Sequence, residues 1–140
     1  DWTKNVKVNI SQQGSESKID AEAEMFYSLP KSVLHKRTIV KSKPNHWLVI
    51  DKVIGKEDYI PMVQSWQVNP ELSEMIEIKS FNEKSERINL DKNTGNWSEY
   101  YGIKDKIPLW QFVSIGNEFH TEITINPKSW DTESKLKIFP

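Results

Sequence analysis

The chain has 140 residues, enough for one domain with its own apolar core, and 36% of them are hydrophobic. Nineteen Lys and Arg against twenty Asp and Glu leave a net charge of -1 at pH 7. Long-range attraction to nucleic acid or to an anionic membrane surface is therefore not expected. Mean hydropathy is -0.65 and the apolar runs are short, so no segment approaches the length of a membrane-spanning helix. No cysteine is present, which excludes disulfides, zinc-thiolate sites and thiol nucleophiles.

In chain order, two-residue alternation dominates. Val6, Val8 and Ile10 alternate with polar residues, and Gln13-Gly14-Ser15 is a turn signal. Ile19, Ala21 and Ala23 continue the alternation toward Met25-Phe26-Tyr27. Ala and Glu in Asp20–Tyr27 also favour helix, but the length and flanks of the segment favour a strand. From His35 to Val53 two strands are expected around the turn at Pro44-Asn45, with the apolar run Trp47-Leu48-Val49-Ile50 ending at Asp51. After Gly55 a third strand is expected over Tyr59–Val68, joined to the previous two as a meander. Glu71–Ser80 is the most ambiguous stretch. Pro70 tolerates a helix start, yet strand is the preferred reading. Further strands are expected around Ile88 and Leu90, through the region up to Ile123 and Ile125, and at Leu136 and Ile138. Turns at Asn93–Asn96 and Ile115-Gly116-Asn117 complete a spacing near ten residues. The expected fold is all-β, an antiparallel β-sandwich of roughly ten short strands in a single domain spanning residues 1–140.

Several chemistries have no sequence signature here. His35, His46 and His120 are far apart and fit no metal-ligand spacing. No nucleophile elbow, phosphate-binding glycine loop or calcium loop occurs, and the carboxylates are dispersed. The cluster Lys31, His35, Lys36, Arg37, Lys41 and Lys43 could meet a polyanionic sugar, but reads first as a solvated strand face. Asn9-Ile10-Ser11 and Asn96-Trp97-Ser98 match a glycosylation tripeptide that is common by chance. Aromatics are the richest functional material, with six tryptophans. Trp47, Trp66 and Trp110 sit in apolar strands and are expected in the core. Trp97, Tyr100 and Tyr101 follow a turn among polar residues, a make-up suited to stacking on sugar rings, with a place at the core edge or in a domain contact as the alternatives. Trp2 and Trp130 are candidates for contact with a neighbouring domain.

The basic pair before a strand, the Pro-x-x-Trp turn at Pro44–Trp47 and the following Leu48-Val49-x-Asp51-x-Val53-x-Gly55 form one pattern. With Ser65-Trp66-Gln67 running to Asn69-Pro70, it resembles the C-terminal β-sandwich region of the heparinase II/III-like polysaccharide lyases. The resemblance covers Leu34–Pro70 and, more faintly, Trp97–Pro127. It implies a parent enzyme that cleaves uronate-containing acidic polysaccharides by β-elimination, in a cleft between an N-terminal helical toroid and β-sandwich modules. It also implies a catalytic Tyr and His, an Asn or Glu that neutralises the uronate carboxylate, and often a divalent metal held by histidines. Those residues come from the toroid and from H-x-H-x-D and H-N-T strands, and neither motif occurs in this sequence. No catalytic residue, metal ligand or cofactor is therefore assigned to this chain.

Beginning at Asp1 without an initiator Met, the chain is expected to be a fragment of a larger, bacterial protein. For the parent a secreted or periplasmic location is favoured. The expected role is to support the toroid and line the substrate cleft, with Trp97, Tyr100, Tyr101 and Gln67 as the candidate substrate contacts. Gln67 stands where members of the family often carry a His; it can hydrogen-bond a sugar but cannot titrate. The expected partners are the acidic polysaccharide and the toroid domain, with neither nucleic acid nor a membrane. The alternatives are a free-standing carbohydrate-binding module and a structural β-domain of a surface protein.

Overall fold

A computed structural model describes residues 3–25, 32–97, 101–102 and 105–126. Ten strands form two antiparallel sheets, and no helix occurs among the described residues. The larger sheet is built from β1 (Thr3–Gln13), β2 (Glu16–Met25), β3 (Val33–Lys43), β4 (His46–Ile54), β6 (Ile76–Phe81), β7 (Arg87–Ile88) and β10 (Glu118–Ile125). Their order is β1-β2-β3-β4-β10-β6-β7. The smaller sheet contains β5 (Met62–Gln67), β8 (Leu90–Trp97) and β9 (Asp105–Ser114), in the order β5-β9-β8. The sandwich expected from the alternation is present.

Turn chemistry sets the hairpins. Gly14 between β1 and β2 has φ 62°, and Asn45 between β3 and β4 has φ 59°, both in the left-handed region that Gly and Asn tolerate. Three segments depart from the sequence reading. Asn93–Asn96, expected as a turn, lies inside strand β8, where these four residues pair in register with Leu109 to Lys106 of β9. The run after Gly55 does not extend the β3–β4 meander. Strand β5 begins only at Met62 and crosses to the other sheet, where it pairs with β9, while β4 takes β10 as its neighbour. Lys56 fixes that crossing: its Nζ donates to the carbonyl oxygens of Glu57 and Ile115 and to that of Ile60, at 3.0, 3.2 and 2.5 Å. In Glu71–Ser80 only Ile76 onward is strand. The first half is a chain of turns, in which Leu72 N donates to Asn69 O and Ile76 N to Leu72 O. The Asn69 side chain explains this, because its Oδ1 accepts from Glu71 N and holds the chain in a turn. The expected strand over Asp20–Tyr27 is found through Met25; Phe26, Tyr27 and the tail carrying Leu136 and Ile138 lie outside the described residues, as do Trp2 and Trp130.

The core lies between the smaller sheet and one half of the larger. Met62, Trp110 and Phe112 from the smaller sheet and the adjoining Val68 meet Ile78 and Phe119 from the larger. Of the tryptophans expected inside, Trp110 is buried and Trp66 packs half-buried against this cluster. Trp47 is half-buried outside it, with the Lys41 ammonium 5.1 Å from its ring centre.

Candidate functional site

The most developed polar site lies where the two sheets meet at the edge of the core. On β3 the side chains of His35 and Arg37 share a face, because strand residues two apart point the same way. Register places Arg37 opposite Asp51 on β4. Asp51 is 3% exposed and accepts four hydrogen bonds. Arg37 Nε and Nη2 donate to its two oxygens at 2.6 and 3.0 Å, in the two-pronged geometry that suits a guanidinium and a carboxylate. His35 Nε2 lies 2.8 Å from Asp51 Oδ1, and Gln64 Nε2 reaches across from β5 to Oδ2 at 2.6 Å.

The network continues through Gln64, whose Oε1 accepts from Trp66 Nε1 at 2.9 Å and from Thr121 Oγ1 at 2.8 Å. Thr121 and Ser80, both fully buried, are 3.0 Å apart through their hydroxyls. Five strands from both sheets, β3, β4, β5, β6 and β10, thus join one polar network. Burial alone would raise the Asp51 pKa. The hydrogen bonds from His35 and Arg37, the Arg37 charge and the Gln64 amide outweigh it and lower the pKa to about 2. Asp51 is therefore an anion at neutral pH with its lone pairs occupied, and it is not placed to accept a substrate proton.

Beside this network runs a groove of about 720 Å³ between β5 and the β3–β4 pair. Met25, Val33, Val53, Pro61, Met62 and Phe119 give it apolar walls, and Arg37 and His35 form its polar side. The sequence reading put His35 and Arg37 on a solvated basic face; instead they turn toward the interior, while Lys36 between them is exposed. Their partner was hidden by register. An ideal two-residue turn pairing Lys43 with His46 would set Arg37 opposite Lys52. A one-residue irregularity between Val40 and Lys43 moves Arg37 onto Asp51.

The four candidate substrate contacts are not gathered at this groove. Gln67 is exposed at the end of β5. Its neighbour two residues back on the same face, Ser65, belongs to an outward ladder in which Gln111 Nε2 donates to Ser65 Oγ and Asn93 Nδ2 to Gln111 Oε1. Tyr101 is fully exposed in the connection between β8 and β9. Across the smaller sheet Gln67 pairs with Leu109, four residues from Asp105 at the start of β9, or about 13 Å along a strand. The Trp97 side chain and Tyr100 lie outside the described residues. The histidines stay apart in separate pairs, His46 with Thr124 and His120 with Glu118. Among the described residues no group of three or more His, Cys, Asp or Glu side chains is arranged to hold a metal ion.

No family model and no curated protein matches the sequence. Solved structures do match the fold. The heparan sulfate lyase HepC from Pedobacter heparinus superposes with a TM-score of 0.67 at 18% identity, over 85% of this chain and 21% of that one. A second structure, of the heparinase III-BT4657 gene product, gives a TM-score of 0.63 at 14% identity, with the same coverage of 85% and 21%. The fold of this chain is thus that of a β-sandwich portion found in heparinase III-type lyases, as the pattern around Leu34–Pro70 suggested. The chain spans about one fifth of the length of these neighbours.

Proposed function

We propose that this chain is a β-sandwich module of a polysaccharide lyase acting on uronate-containing acidic chains, and that the module is structural and substrate-facing rather than catalytic. The observation that carries the reading is the structural likeness over 85% of the chain to two heparinase-type proteins, one of them a heparan sulfate lyase. The chemistry of the polar site supports the second half of the proposal. β-Elimination needs a base free to take a proton from the carbon next to the uronate carboxylate. Asp51 is occupied by three side-chain partners, and His35 Nε2 is engaged with Asp51.

In this reading the module adds a wall to a cleft whose reacting groups, and any divalent metal, belong to other parts of the polypeptide. Tyr101 and Gln67 offer one stacking face and one amide to a sugar chain, with Trp97 and Tyr100 beside Tyr101 in sequence.

The test pairs two measurements. Incubating the isolated chain with heparan sulfate is expected to give no rise in ultraviolet absorbance from unsaturated uronate ends. The longer polypeptide that carries this chain is expected to give that rise. Cleavage by the isolated chain would overturn the non-catalytic assignment. Tight sugar binding by the isolated chain, with no lyase activity in the longer polypeptide, would favour a free-standing carbohydrate-binding module.

A further inference from the structure

The two sheets are unequal, seven strands facing three among the described residues. The smaller sheet lies over one half of the larger. Gln64 of β5 bonds Asp51 on β4 and Thr121 on β10, and the Trp66 ring is 5.7 Å from the Arg37 guanidinium on β3. Beyond β5 the inner face of the larger sheet continues across β3, β2 and β1 with no strand above it among the described residues. Register shows which side chains lie there: Val49 pairs with Ile39, Ile39 with Ile19, and Ile19 with Ile10. Along that row exposure climbs from 3% at Val49 to 75% at Ile10, and Val8 beside it is 60% exposed. An apolar row that runs from buried through half-buried to exposed marks a sandwich layer that stops short.

The layer also stops at a usable edge. Among the described residues strand β5 pairs with β9 on one side only. Val68 N donates to Pro108 O, which continues the β5–β9 register. Backbone groups alternate sides along a strand, so Gln64 and Trp66 direct theirs at β9 as Val68 does. Val63, Ser65 and Gln67 direct theirs away from β9, toward the open side. That edge borders the apolar groove of about 720 Å³.

We propose that the free edge of β5 accepts an additional strand, supplied by polypeptide outside this chain. Its inward side chains are apolar and cover β3 and β2. A sugar fits the place poorly, because the groove walls are apolar and the edge offers main-chain groups in strand register. Antiparallel pairing with a second copy of the chain is excluded by geometry. Antiparallel pairing of two β5 edges requires a twofold axis normal to the sheet, which puts both larger sheets in the same layer. Each overhangs its β5 by three strands, about 14 Å at the usual strand spacing, and the two overhangs would collide. A strand of a longer polypeptide meets no such obstacle, and the structural neighbours have about four fifths of their length outside the matched region. The inference stands on sheet geometry and does not depend on the substrate proposed above.

The test uses this chain and a synthetic ten-residue peptide of alternating Val and Thr with a lysine at each end. Amide hydrogen exchange at single-residue resolution is followed with and without the peptide. Saturating peptide is expected to slow exchange at Val63, Ser65 and Gln67 by about tenfold or more, and to leave Gln64 and Trp66 as they were. Ser65→Pro removes an outward N–H without removing a bond to β9 and is expected to abolish the protection. Ala23→Lys, which places a charge on the overhanging face, is expected to weaken it while the fold persists. Absence of protection at the three outward amides overturns the proposal, as does protection that survives Ser65→Pro. So does a dimer of the chain alone in which those three amides are already protected. No arm involves a polysaccharide, so this proposal and the lyase reading fail separately.

Discussion

Replacing Asp51 by Asn tests the internal logic of the fold most sharply, because the substitution keeps size and removes charge. In the native chain the carboxylate receives two bonds from Arg37, one from Gln64 and one from His35. An amide offers one acceptor oxygen and turns an N–H₂ group toward donors that need acceptors. Gln64 is 5% exposed and cannot recover a water partner, a loss of about 1–3 kcal/mol. The Arg37 and His35 side chains are 39% and 30% exposed and rehydrate in part, so the full cost of a broken buried ion pair does not apply. The expected destabilisation is about 2–3 kcal/mol, read from urea unfolding followed by tryptophan fluorescence. The pH dependence gives an independent check. The Asp51 pKa falls from 3.8 to about 2 on folding, and each pH unit is worth about 1.36 kcal/mol, so the charge contributes about 2 kcal/mol. Because the folded value is the lower one, that contribution is complete above about pH 4 and is lost as pH falls through about 2. Wild type should therefore lose about 2 kcal/mol more than Asp51→Asn between pH 4 and pH 2. Equal losses in the two proteins, or a variant within 0.5 kcal/mol of wild type at pH 7, a typical surface effect, would refute the reasoning.

Other substitutions probe separate parts of the account. Phe112→Ala, at a core position 1% exposed, should cost about 3–5 kcal/mol in the same unfolding assay. Thr121→Val keeps shape but removes the hydroxyl shared with Gln64 and Ser80, and should cost about 1–3 kcal/mol. Gly55→Ala meets a φ of 92° and places Cβ 3.3 Å from Ser32 O, so its melting temperature should fall by several degrees, about 1–2 kcal/mol. Tyr101→Ala should leave unfolding unchanged, since the side chain is fully exposed, and should lower polysaccharide affinity in the longer polypeptide.

The sequence exposed the sandwich because two-residue alternation and turn chemistry are local. Ile19, Ala21 and Ala23 read as strand, Pro44-Asn45 as turn, and both proved so. Pairing was less legible, since nothing local says that β4 prefers β10 to the next strand in sequence. The Asn69 turn defeated a strand reading of Glu71–Met75, because one side-chain oxygen outweighs weak β preference. The Asp51 network was the larger omission. His35 and Arg37 looked like members of a basic surface run, and only the irregularity between Val40 and Lys43 sets Arg37 across from the one carboxylate on the inner face of β4. A recurring His-x-Arg followed by an inward Asp on the next strand is the pattern that would have found it. The aromatic candidates illustrate the opposite limit. The sequence left Tyr101 between the core edge and a ligand or domain contact; the structure exposes it fully, but exposure alone does not assign a ligand.

The central claim is that this module serves a polysaccharide lyase without performing the elimination. The most direct measurement is ultraviolet absorbance of unsaturated uronate ends, with heparan sulfate as substrate, for the isolated chain and for the longer polypeptide side by side. The account predicts a rise for the longer polypeptide and none for the chain. A rise from the chain alone, or none from the longer polypeptide across a panel of uronate polysaccharides, would contradict it.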